Sequence, residues 1–269
     1  MTAVALIAGT GALPGQVAAA LSRSGVAWVA HHLAGHEPAG LGGSRAFRIE
    51  RLGSVLADLR KAGIGRACLA GRVARPAIDP ALVDAATAPM LARMVEAVRA
   101  GDDGALRIVV GFIEEAGLEL VAPQELVPTL TMVPEVGTPT ARDLADVARA
   151  RAVLAALGPI DVCQGCVVAT GQVLAVEALP GTDWMLASLA SSPQRAFPRP
   201  EGGVLVKAPK PGQDRRVDLP SIGPDTIRNA ARAGLGVVAV ERGGVLVLDA
   251  AGVDAAARAL GLVVHAFDP

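Results

Sequence analysis

The chain has 269 residues, 52% of them hydrophobic and 19% charged, and 25 basic against 26 acidic side chains leave a net charge of −1. That balance excludes a nucleic-acid footprint, and two Trp, four Phe and no Tyr are too few for a base-stacking platform. Three cysteines argue against a disulfide framework and for a reducing cytoplasm, and no apolar run reaches the roughly 20 residues that span a bilayer.

The length predicts one large domain or two medium ones. Met1 leads straight into an apolar run with no basic segment before it, so no export signal is expected. Val4–Ala8 reads as a strand, followed by the Gly9–Gly15 loop and a helix from Gln16 to Gly25. Val26–Ala30 reads as a second strand, Ser54–Gly63 as a helix and Ala67–Ala70 as a third strand. Helical stretches follow Pro80 and cover Asp102–Glu115, and Leu118–Val121 is a further strand. This alternation predicts a Rossmann-like open parallel sheet with right-handed crossovers over residues 1–130.

Pro128–Pro139 holds three prolines and little periodicity, and reads as a linker. The second domain, 137–269, opens with a long helix: Thr140 and Asp143 have capping-box spacing and Gly158 ends it. Val167–Thr170 and Gln172–Val176 predict a hairpin around Thr170–Gly171, and Thr182 is placed to cap the next helix. Gly202–Asp218 reads as strand then loop, and Asp225–Ala233 as helix. Val237–Val240 and Val245–Leu248 read as strands around Arg242–Gly244. The fold class expected is therefore α/β, with two α/β domains and a mixed second one.

The stretch Val204–Thr226, VLVKAPKPGQDRRVDLPSIGPDT, carries the strongest chemical signal. The chain has only three lysines, and Lys207 and Lys210 are two of them. In so Arg-rich a sequence this suggests a task for a compact ammonium. Asp214, Asp218 and Asp225 follow on loops punctuated by Pro and Gly, which suits phosphate and a divalent metal. The competing reading is a solvated turn, with Asp225 a helix-opening acid.

Gly9-Thr10-Gly11-Ala12-Leu13 follows a strand and opens a helix, where backbone N–H groups favour an anion. A nicotinamide site would want an acid at the end of the second strand, and Ala30-His31-His32-Leu33 supplies none. Gly71-Arg72 follows the third strand, where open sheets bind ligands. Cys163-Gln164-Gly165-Cys166 lacks the further ligands that zinc needs and reads as core. His31 and His32 point to opposite faces of a strand and cannot easily share a metal.

Together LIAGTGALP, AGRVARP at 70–76, GDDGALR at 101–107, VEALPGTDWML at 176–186 and VLVKAPKPGQDRRVDLPSIGPDTI at 204–227 resemble the UDP-2,3-diacylglucosamine pyrophosphatases of the LpxI type, from lipid A biosynthesis. One departure is Arg72, where relatives are expected to have lysine. The resemblance implies a cytoplasmic homodimer, peripheral at the inner membrane through transient contact. It implies Mg²⁺-dependent hydrolysis of UDP-2,3-diacylglucosamine to UMP and 2,3-diacylglucosamine 1-phosphate, with water attacking the sugar-side phosphorus. Asp225 and Asp214 are then expected to hold the metal or position the water, and Lys207, with Arg215, to offset diphosphate charge. Gly9, Thr10, Gly11, Ala12, Leu13, Gly71, Arg72, Ala122 and Gln124 would shape the nucleotide side, Glu177, Thr182 and Asp183 would face the glucosamine, and Asp102 would also bind substrate. Two acyl chains call for an apolar cleft, expected between the domains. Two other readings stay open: a Rossmann-like oxidoreductase on a nucleotide sugar, and a nucleotide-lipid carrier or sensor without turnover.

Overall fold

The computed structural model describes residues 2–74, 76–99, 102–191 and 202–269. They form two compact units. One is the chain up to Pro128 together with Asp214–Asp218, and the other is Thr129–Gln213 with Leu219–Pro269.

The first unit runs β1 (Val4–Ala8), α1 (Leu13–Arg23), β2 (Trp28–Leu33), β3 (Arg45–Phe47), α2 (Leu52–Lys61), β4 (Arg66–Ala70), α3 (Leu91–Arg99), α4 (Asp102–Glu115), β5 (Glu119–Leu120) and the short α5 (Pro123–Leu126). Its five strands lie in the order β3-β2-β1-β4-β5, every pair parallel. Central β1 is almost wholly buried because helices cover both faces of such a sheet. Leu52, Leu56 and Leu59 of α2 and Val110, Phe112 and Ile113 of α4 pack with Ala5 and Ala67 into one apolar core.

Several sequence expectations shift here. Helix α1 starts at Leu13 rather than Gln16, with Pro14 in its first turn, where a missing N–H costs nothing. Strand β2 runs on through His31, His32 and Leu33, which pair with the unforeseen β3 at Arg45, Ala46 and Phe47.

The second unit runs α6 (Ala141–Leu157), β6 (Gly165–Ala169), β7 (Gln172–Val176), α7 (Gly181–Ser191), β8 (Val204–Lys207), β9 (Ser221–Ile222), α8 (Pro224–Arg232), β10 (Val237–Glu241), β11 (Leu246–Val247), α9 (Ala250–Leu260) and β12 (Val263–Phe267). Its sheet has the order β12-β10-β8-β6-β7. The β12, β10 and β8 strands are parallel, while β6 is antiparallel to β8 and β7.

Alternation along the strands divides the core between the two faces. Val167, Leu205, Val238 and Val264 pack with Met185, Leu186, Ile227 and Val253 on one side. Cys166, Val168, Val204, Val206 and Val237 pack with Val147, Ala150 and Leu154 of α6 on the other. Thr140 caps α6 as expected: its hydroxyl accepts from Asp143 N–H, and its own N–H donates to Asp143 Oδ2 at 2.8 Å. The β6–β7 turn has φ +50° at Thr170 and +76° at Gly171, the geometry of a tight hairpin, and Asp146 accepts both of their N–H groups.

Two expectations for this half are corrected. Strand β11 does not pair with β10 but with β9, in a separate two-stranded parallel sheet. Both edges of β10 are already taken, by β8 and β12. Asp214–Asp218 leaves the domain in which the sequence placed it. Gln124 Nε2 donates to Arg215 O at 2.8 Å, Arg216 pairs with Glu114, and Val217 joins the first unit's core.

Candidate functional site

The sequence-predicted residues fall into a group in each unit. In the first, strand order turns back at β1: β2 lies on one side and β4 on the other. The crevice beyond the carboxyl ends at such a point is where open sheets take ligands.

Gly9-Thr10-Gly11 leaves β1 here, and Gly71-Arg72 leaves β4. The two turns are stitched together. Gly9 N–H donates to Ala70 O at 2.7 Å, Thr10 N–H to Arg72 O at 2.8 Å, and Arg72 N–H to Thr10 O at 3.0 Å. A Cβ on Gly9 would lie 2.4 Å from Arg72 O, and Gly71 adopts φ +95° with Thr10 O 2.7 Å from where its Cβ would be. Neither position admits a larger residue without moving backbone.

Thr10, Gly11, Ala12 and Arg72 are exposed, and Leu13 opens α1. Ala122 follows β5 on the same edge and donates its N–H to Glu125 Oε1. Gln124 holds Arg215 O, while its own Oε1 is buried with no hydrogen-bond partner among the described residues. Asp102 starts α4 by its backbone, and its side chain lies outside the described residues.

Asp214 is engaged. Arg216 donates to it from Nε and Nη2, at 3.0 and 2.7 Å, and from the backbone N–H at 3.0 Å. These bonds hold its carboxyl below the usual carboxylate range, against the opposing effect of burial. Arg216, which sequence reasoning passed over, is fixed in turn by Glu114 at 2.8 Å. The acid–x–Arg spacing was the available signal.

In the second unit, Glu177, Thr182 and Lys207 converge. Lys207 ends β8 and is buried, with 4% of its surface exposed. Its ammonium donates to Thr182 Oγ1 at 2.6 Å and Ser221 O at 3.3 Å, and lies 3.6 Å from Glu177 Oε2. Thr182 in turn donates to Glu177 Oε1 at 2.7 Å. Its hydroxyl therefore links acid to ammonium rather than capping α7, which begins one residue earlier. Gly165 leaves room for this acid, since a Cβ there would lie 2.5 Å from Glu177 Oε2. Asp183 accepts from Asn229 on α8 at 3.1 Å.

Lys210, the other half of the sequence signal, pairs with Asp161 and is structural. Cys163 and Cys166 are free and buried, and burial pushes their thiols up to about 11 and about 12. Thiols so reluctant to ionise are poor metal ligands and poor nucleophiles.

Asp225 stands in the first turn of α8, its side chain 86% exposed, with Arg228 Nη1 at 2.5 Å. Among the described residues no group of three or more His, Cys, Asp or Glu is gathered to hold a metal. A magnesium ion keeps several waters and takes one or two carboxylates plus substrate phosphates. The open carboxylate of Asp225 fits that role, whereas Asp214 would have to give up Arg216.

Residues 3–130 match the family model for the LpxI N-terminal domain, and residues 133–265 that for the LpxI C-terminal domain. The UDP-2,3-diacylglucosamine pyrophosphatase LpxI of Caulobacter vibrioides is 39% identical over 276 residues, covering 100% of this chain and 99% of that protein. Among solved structures, CobK precorrin-6A reductase aligns over 100% of this chain and 88% of its own, at 17% identity and a TM-score of 0.35, too slight a likeness to bear on the argument. With both halves matched and a relative similar from end to end, the chain belongs to the LpxI family.

Proposed function

We propose that this chain hydrolyses the diphosphate of UDP-2,3-diacylglucosamine, giving UMP and 2,3-diacylglucosamine 1-phosphate for lipid A biosynthesis. The observation that carries this is the end-to-end similarity to a relative named for that activity. The two residue groups support it, because each offers what one half of the substrate needs.

The Gly9–Leu13 loop, Gly71 and Arg72 take the nucleotide side, with Ala122, Gln124, Asp102 and Arg215 around it. Backbone N–H groups at the start of α1 and the Arg72 guanidinium suit phosphate oxygens. Glu177, Thr182 and Asp183 take the glucosamine side. Lys207 holds Thr182 and Glu177 in place and lends positive charge to the diphosphate as it gains electron density. Leu179 and Trp184, 86% and 60% exposed, flank Glu177 and Thr182 and suit acyl chains.

Mg²⁺, when bound, would neutralise phosphate charge and polarise the attacked phosphorus. Asp225 is the residue we assign to hold it, and Asp214 would serve as a second carboxylate only after releasing Arg216. Water adds to the sugar-side phosphorus as the bond from that phosphorus to the bridging oxygen breaks. The bridging oxygen leaves with UMP, and the proton lost by water passes to solvent or to a carboxylate. Among the described residues no helix is long and apolar enough to cross a membrane. We propose transient contact with the inner membrane surface, where the lipid resides, and a homodimeric cytoplasmic enzyme.

The test is product analysis by mass spectrometry in ¹⁸O-water, with and without Mg²⁺, for the wild type and Asp225→Ala. The proposal expects Mg²⁺-dependent UMP, the label in the sugar phosphate, and a silent variant. Label in UMP would overturn the side of attack, and tight binding without turnover would leave a carrier.

A further inference from the structure

One strand end in the first unit carries polar groups that no hydrogen bond satisfies. His32, near the carboxyl end of β2, is 5% exposed, and neither of its ring nitrogens has a hydrogen-bond partner among the described residues. The nearest carboxylate oxygen is Glu37 Oε1, 3.9 Å from Nε2, beyond hydrogen-bond reach and on a side chain 70% exposed. That contact also gives the ring's direction: it reaches towards the loop that leaves the strand.

His36 stands on that loop. Its Nε2 accepts from Ala74 N–H at 3.0 Å, which puts the proton of the neutral ring on Nδ1. That Nδ1 is buried and has no acceptor among the described residues. The His36–Ala74 bond runs from the turn after β2 to the turn after β4, so it crosses the end of β1 and its glycine loop. A buried imidazole left unpaired costs stability, and one beside a ligand crevice recovers that cost when a ligand pairs with it.

We infer that His32 and His36 are positioning residues for the ribose of the nucleotide, reading its vicinal hydroxyls. The inference rests on the nucleotide lying at the β1–β4 crevice, as proposed above. With phosphate at the Gly9–Leu13 loop, the sugar falls towards the end of β2, where dinucleotide enzymes of this topology place a carboxylate. A neutral imidazole presents one donor and one acceptor, which complements a hydroxyl that can do both. His32 supplies the pair and His36 a second donor. His31, one residue earlier, faces the opposite side of the sheet and takes no part.

The experiment measures UDP and 2′-deoxy-UDP binding by calorimetry on the full chain, with the melting temperature of the ligand-free protein alongside. The wild type should bind UDP about tenfold more tightly than the deoxy nucleotide, the worth of one good hydrogen bond to a neutral group. His32→Met should bind UDP about tenfold more weakly and lose the discrimination, while melting no lower than the wild type without ligand. His32→Asn, which keeps a donor and an acceptor, should recover part of both. Unchanged UDP affinity in His32→Met, or an unchanged preference for ribose, overturns the inference and leaves the proposed function standing. A lower ligand-free melting temperature with intact binding also overturns it, because the ring is then a core residue. Failure of the wild type to bind UDP while turning over no substrate overturns both.

Discussion

Lys207→Met removes an ammonium at the centre of the second unit's polar cluster. The lysine side chain is 5% exposed and Glu177 is 14% exposed, so neither charge is relieved by bulk water. Without Nζ, Glu177 keeps the Thr182 hydroxyl as its one side-chain partner among the described residues, and the Ser221 carbonyl loses its donor. Breaking a buried pair by deleting one partner costs about 3–5 kcal/mol. For a unit of this size that lowers the melting temperature by roughly 10–20 °C. The loss should be recovered in large part by Glu177→Gln in the same chain, with a coupling of about 2–3 kcal/mol in the double-mutant cycle. Urea unfolding followed by Trp184 fluorescence in a Trp28→Phe background reports on this unit. Turnover should fall about 10²–10³-fold in Lys207→Met and stay low in the double variant, since restoring stability does not restore charge at the diphosphate. A single-variant loss under about 1 kcal/mol, or no rescue by Glu177→Gln, would refute the reading of Lys207 as a buried counter-charge.

Further outcomes separate structural from chemical roles. Asp225→Asn should abolish turnover with little change in urea midpoint, because its carboxylate is exposed and, among the described residues, paired within its own helix turn; Asp214→Asn should shift the midpoint of the first unit, since four hydrogen bonds from Arg216 end on it. Arg216 keeps the folded-state pKa of Asp214 depressed, so that contribution is fully present above about pH 4 and lost as pH falls through the folded value. Stability measured against pH should therefore fall less on acidification in Asp214→Asn than in the wild type, the rest of the acid loss coming from other depressed carboxylates such as Glu50 and Asp84. Gly9→Ala would press a methyl group to 2.4 Å from Arg72 O, and overpacking of this kind costs on the order of 1–3 kcal/mol; thermal unfolding and UDP binding should both worsen. Trp184→Ala should raise KM for the diacyl substrate while leaving UDP affinity unchanged, as measured by steady-state kinetics and calorimetry.

What the sequence makes legible follows the range over which each signal acts. The parallel sheet of the first unit could be read because each βα step is local, and because strands buried on both faces are apolar throughout. The strand-end turns proposed to take the nucleotide could be singled out from element order alone. Strand β3 is three residues long, and only pairing with β2 reveals it. The assignment of Asp214–Asp218 to the first unit was beyond a local reading: its anchors, Gln124 to Arg215 and Glu114 to Arg216, are 91 and 102 positions apart.

The two lysines show where composition stops informing. Lys207 and Lys210 look alike in KAPK, three residues apart, yet one ends β8 and the other leaves the strand. Strand geometry carries Lys207 to Thr182 and Glu177, whereas Lys210 meets Asp161 on the turn that precedes β6. Thr182 makes the same point from the other side. Its place before a helix spells a cap, but the buried Lys207 ammonium outcompetes a single helix N–H as donor to its oxygen, and its O–H goes to the half-buried Glu177 carboxylate, because charge-assisted bonds are about twice as strong as neutral ones. In both cases the residue type announced chemistry, and a distant partner decided which chemistry it was. That is why the KAPKPGQD stretch could be singled out from sequence, while the linkage of Lys207 through Thr182 to Glu177 had to be seen in three dimensions.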